Sequence, residues 1–222
     1  MKQFFIKYKH AWVLLYFFIY APWFLYLEKT VTTTYYPVHI KLDDWIPFNE
    51  WFVIPYYLWF LFIAVTIAYL LFTDKKEFYR CTAFLFIGMT ICLIIYTVWP
   101  NGQNLRPNLD ELGRNNIFIE ILRKLYGSDT NTNVCPSIHA FNSIGACIAI
   151  YHSNKLKNKK WITIPTVILT VLICLSTVFL KQHSFFDVIC ACILGLVMYL
   201  VVYVPDYAKI LEQKKERIKS TT

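Results

Sequence analysis

A chain of 222 residues that is 57% hydrophobic and 18% aromatic, with only 16% charged residues, has the composition of a membrane protein. Its net charge of +8 sits in short connectors between apolar runs and forms no basic face, which excludes nucleic acid as the expected partner. Seven cysteines, an odd number lying mostly inside apolar runs, exclude a disulfide framework and show no metal-knuckle spacing.

The N-terminal segment 1–10 is basic and leads into an apolar run, as a signal peptide does. That run is bulky and aromatic and lacks a small-residue cleavage site, so an uncleaved first span is expected. Six runs are long enough to cross or nearly cross a bilayer: 11–27, 51–72, 82–99, 138–152, 161–180 and 185–204. The fourth is the shortest and most polar, carrying His139, Asn142 and Ser143, and is expected to be shielded by its neighbours. The expected fold is all-α: one membrane domain over 1–222, built as a six-helix transmembrane bundle.

Fifteen Lys and Arg residues fall in one alternating set of connectors and seven in the other. The positive-inside rule then places both termini in the cytoplasm of a multi-pass cell-membrane protein, with loops 28–50, 100–137 and 181–184 outside. Trp12, Trp51, Trp99 and Trp161 at span ends fit interfacial belts.

In the first outer loop Asp43 and Asp44 are adjacent carboxylates. Neighbours on a loop usually point apart, so a solvated turn packing Trp45 and Phe48 onto the interface is expected rather than a metal site. In the second, Ile117, Phe118, Ile121, Leu122, Leu125 and Tyr126 share one helical face, with Glu120, Arg123 and Lys124 on the other. This amphipathic helix, too short and charged to span, is expected to lie flat at the outer surface. Just before it, Arg106 stands near the mouth of the third span, where its forked donors suit a phosphate. The segment 206–222, polar and of mixed charge, reads as a cytoplasmic helix or tail.

Two stretches concentrate chemistry between apolar runs. In Asn133-Val134-Cys135-Pro136-Ser137-Ile138-His139, proline, serine and histidine stand where a helix would start, so backbone N–H groups, a hydroxyl and an imidazole can converge on an anion. In the stretch from Ser176 to Asp187, a helix opening near Ser184 puts His183 and Asp187 one turn apart, close enough for the carboxylate to fix the imidazole tautomer. The same residues also read as a plain capping box, Ser184 with Asp187. The two histidines and the aspartate leave three chemistries open: phosphoryl transfer, a facial metal triad, or a proton or ion path.

With those residues in hand, the chain resembles the type 2 phosphatidic acid phosphatase superfamily of integral membrane enzymes. That family carries Lys, six residues, Arg-Pro; then Pro-Ser-Gly-His; then Ser-Arg, five residues, His, three residues, Asp. Here Arg106 and Pro107 match the first, Pro136, Ser137 and His139 the second, and Ser176, His183 and Asp187 the third, in order and between spans. The family's lysine falls at Trp99, its glycine at Ile138 and its arginine at Thr177. The Asn-Val-x-Pro-Ser-x-His pattern looks closest to the branch that includes inositol phosphorylceramide synthases and related bacterial proteins.

The resemblance implies a lipid phosphate or pyrophosphate substrate drawn from membrane lipids, a phosphohistidine intermediate, and either hydrolysis or transfer of a phospholipid headgroup. It makes His183 the nucleophile, Asp187 the carboxylate that orients and charges it, and His139 the acid. Arg106, Lys181, Ser137 and Ser176 become the phosphate-binding residues, and neither metal nor other cofactor is implied.

Overall fold

The computed structural model describes residues 6–205; the expected tail at 206–222 lies outside them. The structure is 72% helical with almost no strand. Among the described residues eight α-helices follow in chain order: α1 (Phe17–Thr30), α2 (Lys41–Trp45), α3 (Val53–Thr73), α4 (Lys75–Val98), α5 (Ile117–Ser128), α6 (Ile138–His152), α7 (Lys160–Phe179) and α8 (Phe185–Val202). A 3-10 segment over Lys9–Tyr16 runs into α1, and another over Glu50–Phe52 runs into α3. Among the described residues, five helical stretches are long and apolar enough to cross a membrane: Lys9–Thr30, Glu50–Thr73, Lys75–Val98, Lys160–Phe179 and Phe185–Val202.

The third span starts seven residues before its apolar run does. Asp74 caps α4 by accepting from the Glu77 amide at 3.1 Å, so the charged turn Lys75, Glu77 and Arg80 is helical too. The run 138–152 forms α6, but its 15 residues span only about 22 Å. It packs at the centre of the bundle against α3, α4, α7 and α8. Close approach to α4 is possible because Phe84 and Phe141 stack 5.0 Å apart over two glycines: a Cβ at Gly88 would lie 1.9 Å from the Phe141 ring, and one at Gly145 2.6 Å from Phe84.

The outer faces of the long helices are apolar and exposed, as on α7 with Ile164, Ile168, Val171 and Leu175. Such a continuous stripe needs an apolar solvent. Helix α1 is the least embedded. It holds to α4 through Trp23, whose indole donates to Thr97 Oγ1 at 3.1 Å, while Tyr16 just before it lies 2.9 Å from Thr90 Oγ1 and stacks on Phe86.

The connectors on the side bearing both histidine stretches are knitted together. Two short strands, β1 (Tyr36–Pro37) and β2 (Asn101–Gly102), pair in parallel, and Gly102 forms an antiparallel bridge with Thr132. Helix α5 presents the expected face except at one position, where Ile119 rather than Ile117 is buried. Ile119, Leu122 and Leu125 are buried against Val53, Tyr56 and Leu180, whereas Ile117 is 69% exposed. Asn116 sets that phase by capping the helix, accepting from the amides of Phe118 and Ile119.

The pair at 43–44 departs from the solvated turn expected of it. Asp44 is exposed and bonds His39, but Asp43 is buried. Its Oδ2 accepts from the Ser184 hydroxyl at 2.6 Å and the Ile40 amide at 2.9 Å, and its Oδ1 from the Phe185 amide at 2.8 Å. The exposed amides at the start of α8 draw a carboxylate from a distant loop. Trp45 is exposed.

Candidate active site

The site is built where α6 and α8 begin, because both helices open with residues that turn side chains inward. Ser137 caps α6, its hydroxyl accepting from the Ala140 amide at 3.4 Å, and Ser184 caps α8 through the Phe186 amide at 3.1 Å. Each mouth is preceded by a residue in left-handed backbone, Asn133 with φ 57° and Lys181 with φ 54°. Such conformations cost about 1–3 kcal/mol outside glycine and need neighbours that impose them.

Two residues of one short segment supply that support. Asn101 is fully buried; its side chain accepts from the amides of Val134 and Cys135 and donates to the Cys135 carbonyl, fixing the approach to α6. Gln103, also fully buried, donates to the Lys181 carbonyl at 2.8 Å and fixes the approach to α8. The Ser137 amide donates to the Asp187 carbonyl, joining the mouths directly.

His183 is locked at one nitrogen. Its Nδ1 lies 2.9 Å from the Val134 carbonyl and 3.2 Å from Asp187 Oδ2. Both neighbours only accept, so Nδ1 carries the proton and the neutral ring keeps its lone pair on Nε2. Asp187 Oδ2 also accepts from the Ser184 amide at 2.9 Å. The capping box and the histidine–carboxylate pair are therefore one arrangement serving both ends.

His139 stands opposite, with ring centroids 5.8 Å from His183, 4.7 Å from Tyr56 and 4.3 Å from Trp59. Both histidines line a cavity of about 340 Å³ whose remaining wall comes from Tyr20, Phe24 and Glu28 of α1, Tyr56, Trp59 and Phe60 of α3, Tyr96 of α4, and the loop from Ser128 to Val134. Sequence reasoning missed Tyr56, Trp59, Glu28 and Asp129. The three cavity residues of α1 recur every fourth position, but nothing local distinguishes that row from its lipid-facing ones.

Two residues of the cavity wall carry buried donors with no hydrogen-bond partner, Trp59 Nε1 and Gln182 Nε2; Arg106 Nε, outside the wall, is a third. Buried orphan donors are costly and call for an acceptor, and an anion seated between the histidines would supply one. The other nitrogens of Arg106 are engaged: Nη1 donates to the Tyr126 and Asp129 carbonyls, and Nη2 to the Thr130 carbonyl at 2.7 Å and to Gln182 Oε1. Arg106 thus fastens the end of α5 over the site while its guanidinium stacks on Tyr126. Asp129 accepts from the Tyr56 hydroxyl at 3.1 Å; burial, reinforced by the Glu28 charge, pushes its carboxyl above the usual range, while Arg106 pulls it back.

The structure does not bring Arg106, Ser137, Lys181 or Ser176 to the cavity wall. The Lys181 ammonium donates to the carbonyls of Asp43 and Ile46 at 2.7 and 2.6 Å, and the buried Ser176 hydroxyl to the Ile173 carbonyl of its own helix. Trp99, at the family's lysine position, packs with Val38, Val134 and Cys135. Thr177, at the arginine position, is buried, and its carbonyl accepts from the amides of Gln182 and His183.

No curated protein and no solved structure matches the chain. The family model of the PAP2 superfamily matches residues 101–210, a stretch that holds Arg106, both helix mouths and both histidines. That match supports placing the chain in the PAP2 superfamily, whose members are generally phosphatases or related phosphotransferases.

Proposed function

We propose that the protein is a membrane-embedded lipid phosphatase, acting on a lipid phosphate or pyrophosphate through a phosphohistidine on the extracytoplasmic side of the cell membrane. The observation that carries this reading is the lock on His183: its Nδ1 is held by two acceptors, so Nε2 is the free lone pair, facing His139 across an aromatic cavity rimmed by unpartnered donors.

In the first step His183 Nε2 attacks phosphorus, the bond to the lipid oxygen breaks, and that oxygen takes a proton from His139. Asp187 stabilises the positive charge that gathers on the His183 ring. The phosphoryl oxygens are held by the Trp59 indole and the Gln182 amide, which Arg106 keeps in place through its bond to Gln182 Oε1, donors already set as charge redistributes. In the second step water gives a proton to His139 and its oxygen attacks phosphorus, releasing phosphate and freeing His183. Lys181 and Ser176 act as supports of the α8 mouth rather than as phosphate ligands.

The charge asymmetry of the connectors supports the sidedness, with both termini cytoplasmic. Helix α6 then counts as the sixth crossing, short because its mouth opens below the outer surface, and α5 lies flat above it. A phosphotransferase reading, resembling inositol phosphorylceramide synthases, shares the first step. An acceptor-rich patch of the cavity wall at Glu28 and Asn133 favours it as the second reading.

The deciding experiment uses a lipid phosphate labelled at phosphorus. Acid-labile label on His183 is expected in protein quenched during turnover, and none in His183→Ala; full turnover by His183→Ala would sink the proposal.

A further inference from the structure

Asp187 is fully buried, and only one of its carboxylate oxygens is served. Oδ2 takes His183 Nδ1 and the Ser184 amide, while Oδ1 is buried with no N–H or O–H donor. A buried carboxylate oxygen without a donor is costly, and no solvent reaches this one to relieve it.

The chain beside that carboxylate is the approach to α6, and Cys135 is bracketed by its contacts. The Val134 carbonyl lies 2.9 Å from His183 Nδ1, and the Ser137 amide donates to the Asp187 carbonyl at 3.2 Å. Asn101 pins both backbone polar groups of Cys135, accepting from its amide at 2.8 Å and donating to its carbonyl at 3.1 Å. The Cys135 side chain, 2% exposed, packs with Cys190 and faces the Asp187 carboxylate. Burial, reinforced by the Asp187 charge, raises the Cys135 thiol above its ordinary range, so the sulfur keeps its proton. One proton then has two acceptors within reach, and an ionised carboxylate binds it more strongly than the neutral sulfur of Cys190.

We propose that Cys135 is a positioning residue for the nucleophile: its S–H donates to the free oxygen of Asp187 and holds that carboxylate turned toward His183. The proposal rests on the phosphohistidine chemistry assigned above and adds a residue to it. With donors on both oxygens the carboxylate stays ionised and fixed while positive charge gathers on the His183 ring. The loss of the thiol proton is therefore felt in the chemical step, in kcat rather than in KM.

The test separates donation from packing on the purified full-length protein. Cys135→Val fills the space without a donor, Cys135→Ser keeps a donor and loses volume, and Cys135→Ala loses both. Val should lower kcat about three- to tenfold at nearly unchanged KM and melting temperature. Ser should keep kcat within about twofold although its melting temperature falls by about 2–4 °C. Ala should lose on both counts, and Cys190→Ala should keep kcat within about twofold. A rate that follows melting temperature across the series, or a Ser variant as slow as the Ala variant, overturns the proposal. Raman spectroscopy supplies a readout without turnover. The S–H stretch of Cys135, isolated by difference against whichever of these variants folds, should move to higher frequency in Asp187→Asn, because an amide oxygen is a weaker acceptor than a carboxylate. An unmoved band overturns the proposal as well. If the band moves but the unsubstituted protein releases no phosphate from any lipid phosphate, the phosphatase reading fails and the thiol–carboxylate bond stands.

Discussion

The carboxylate of Asp43 accepts a 2.6 Å hydrogen bond from the Ser184 hydroxyl across 141 positions of sequence, so the connector between α1 and α3 caps the helix mouth that carries the His183–Asp187 pair. Lys181 returns the contact by donating to the Asp43 and Ile46 carbonyls. Nothing in this exchange touches the cavity, yet it sets where His183 stands.

Asp43→Asn should therefore lower kcat with little change in KM, because it weakens the orientation of a group that works in the chemical step. One carboxylate oxygen becomes a donor facing amides and a hydroxyl, an uncompensated buried mismatch worth about 1–3 kcal/mol. Asp44→Asn, exposed and bonded only to His39, is the control and should keep near-normal kcat and melting temperature. Equal kcat for the two variants would remove Asp43 from the positioning of the site.

Arg106→Lys should impair activity at least about tenfold and lower thermal stability, whereas Lys124→Ala should leave both near normal. The guanidinium fork serves three backbone carbonyls and the Gln182 amide together, and an ammonium cannot copy that geometry. Lys124 lies on the exposed face of α5. Matching rates for the two variants would reduce Arg106 to a surface anchor.

Replacement of His139 by alanine should slow turnover about 100- to 10,000-fold on substrates with an alkoxide leaving group, and far less on a nitrophenyl phosphate. A nitrophenolate leaves without a proton, so the general acid has nothing to contribute. Equal slowing of both would reassign His139 from proton donor to wall residue.

In a cysteine-less background, Lys157→Cys should resist a membrane-impermeant thiol reagent applied to intact cells, while Asn104→Cys should react. The expectation follows from the fifteen-to-seven distribution of Lys and Arg over the two sets of connectors. Labelling of position 157 from outside would invert the topology and with it the side on which the chemistry occurs.

Much of the site was legible because its geometry is local. His183 and Asp187 meet because one helical turn separates them, and Ser137 caps α6 because serine competes well for free amides. What was illegible depends on partners far along the chain. Asp43 looks solvated until α8 offers its amides, and Lys181 looks like a free cation until two loop carbonyls claim it. Glu28 and Trp59 sit in apolar stretches whose periodicity cannot say which row faces a cavity. One position of α5 was misassigned for a simpler reason: Ile117 and Ile119 are equally apolar, and only packing against Tyr56 and Leu180 chooses between them.

Asn101 and Gln103 stand two residues apart in one extended segment, and each holds one of the two helix mouths. Spanning helices answer changes in bilayer thickness by tilting. A clip of three residues that holds both mouths leaves such tilting to be taken up at the far ends of the helices, away from His139 and His183.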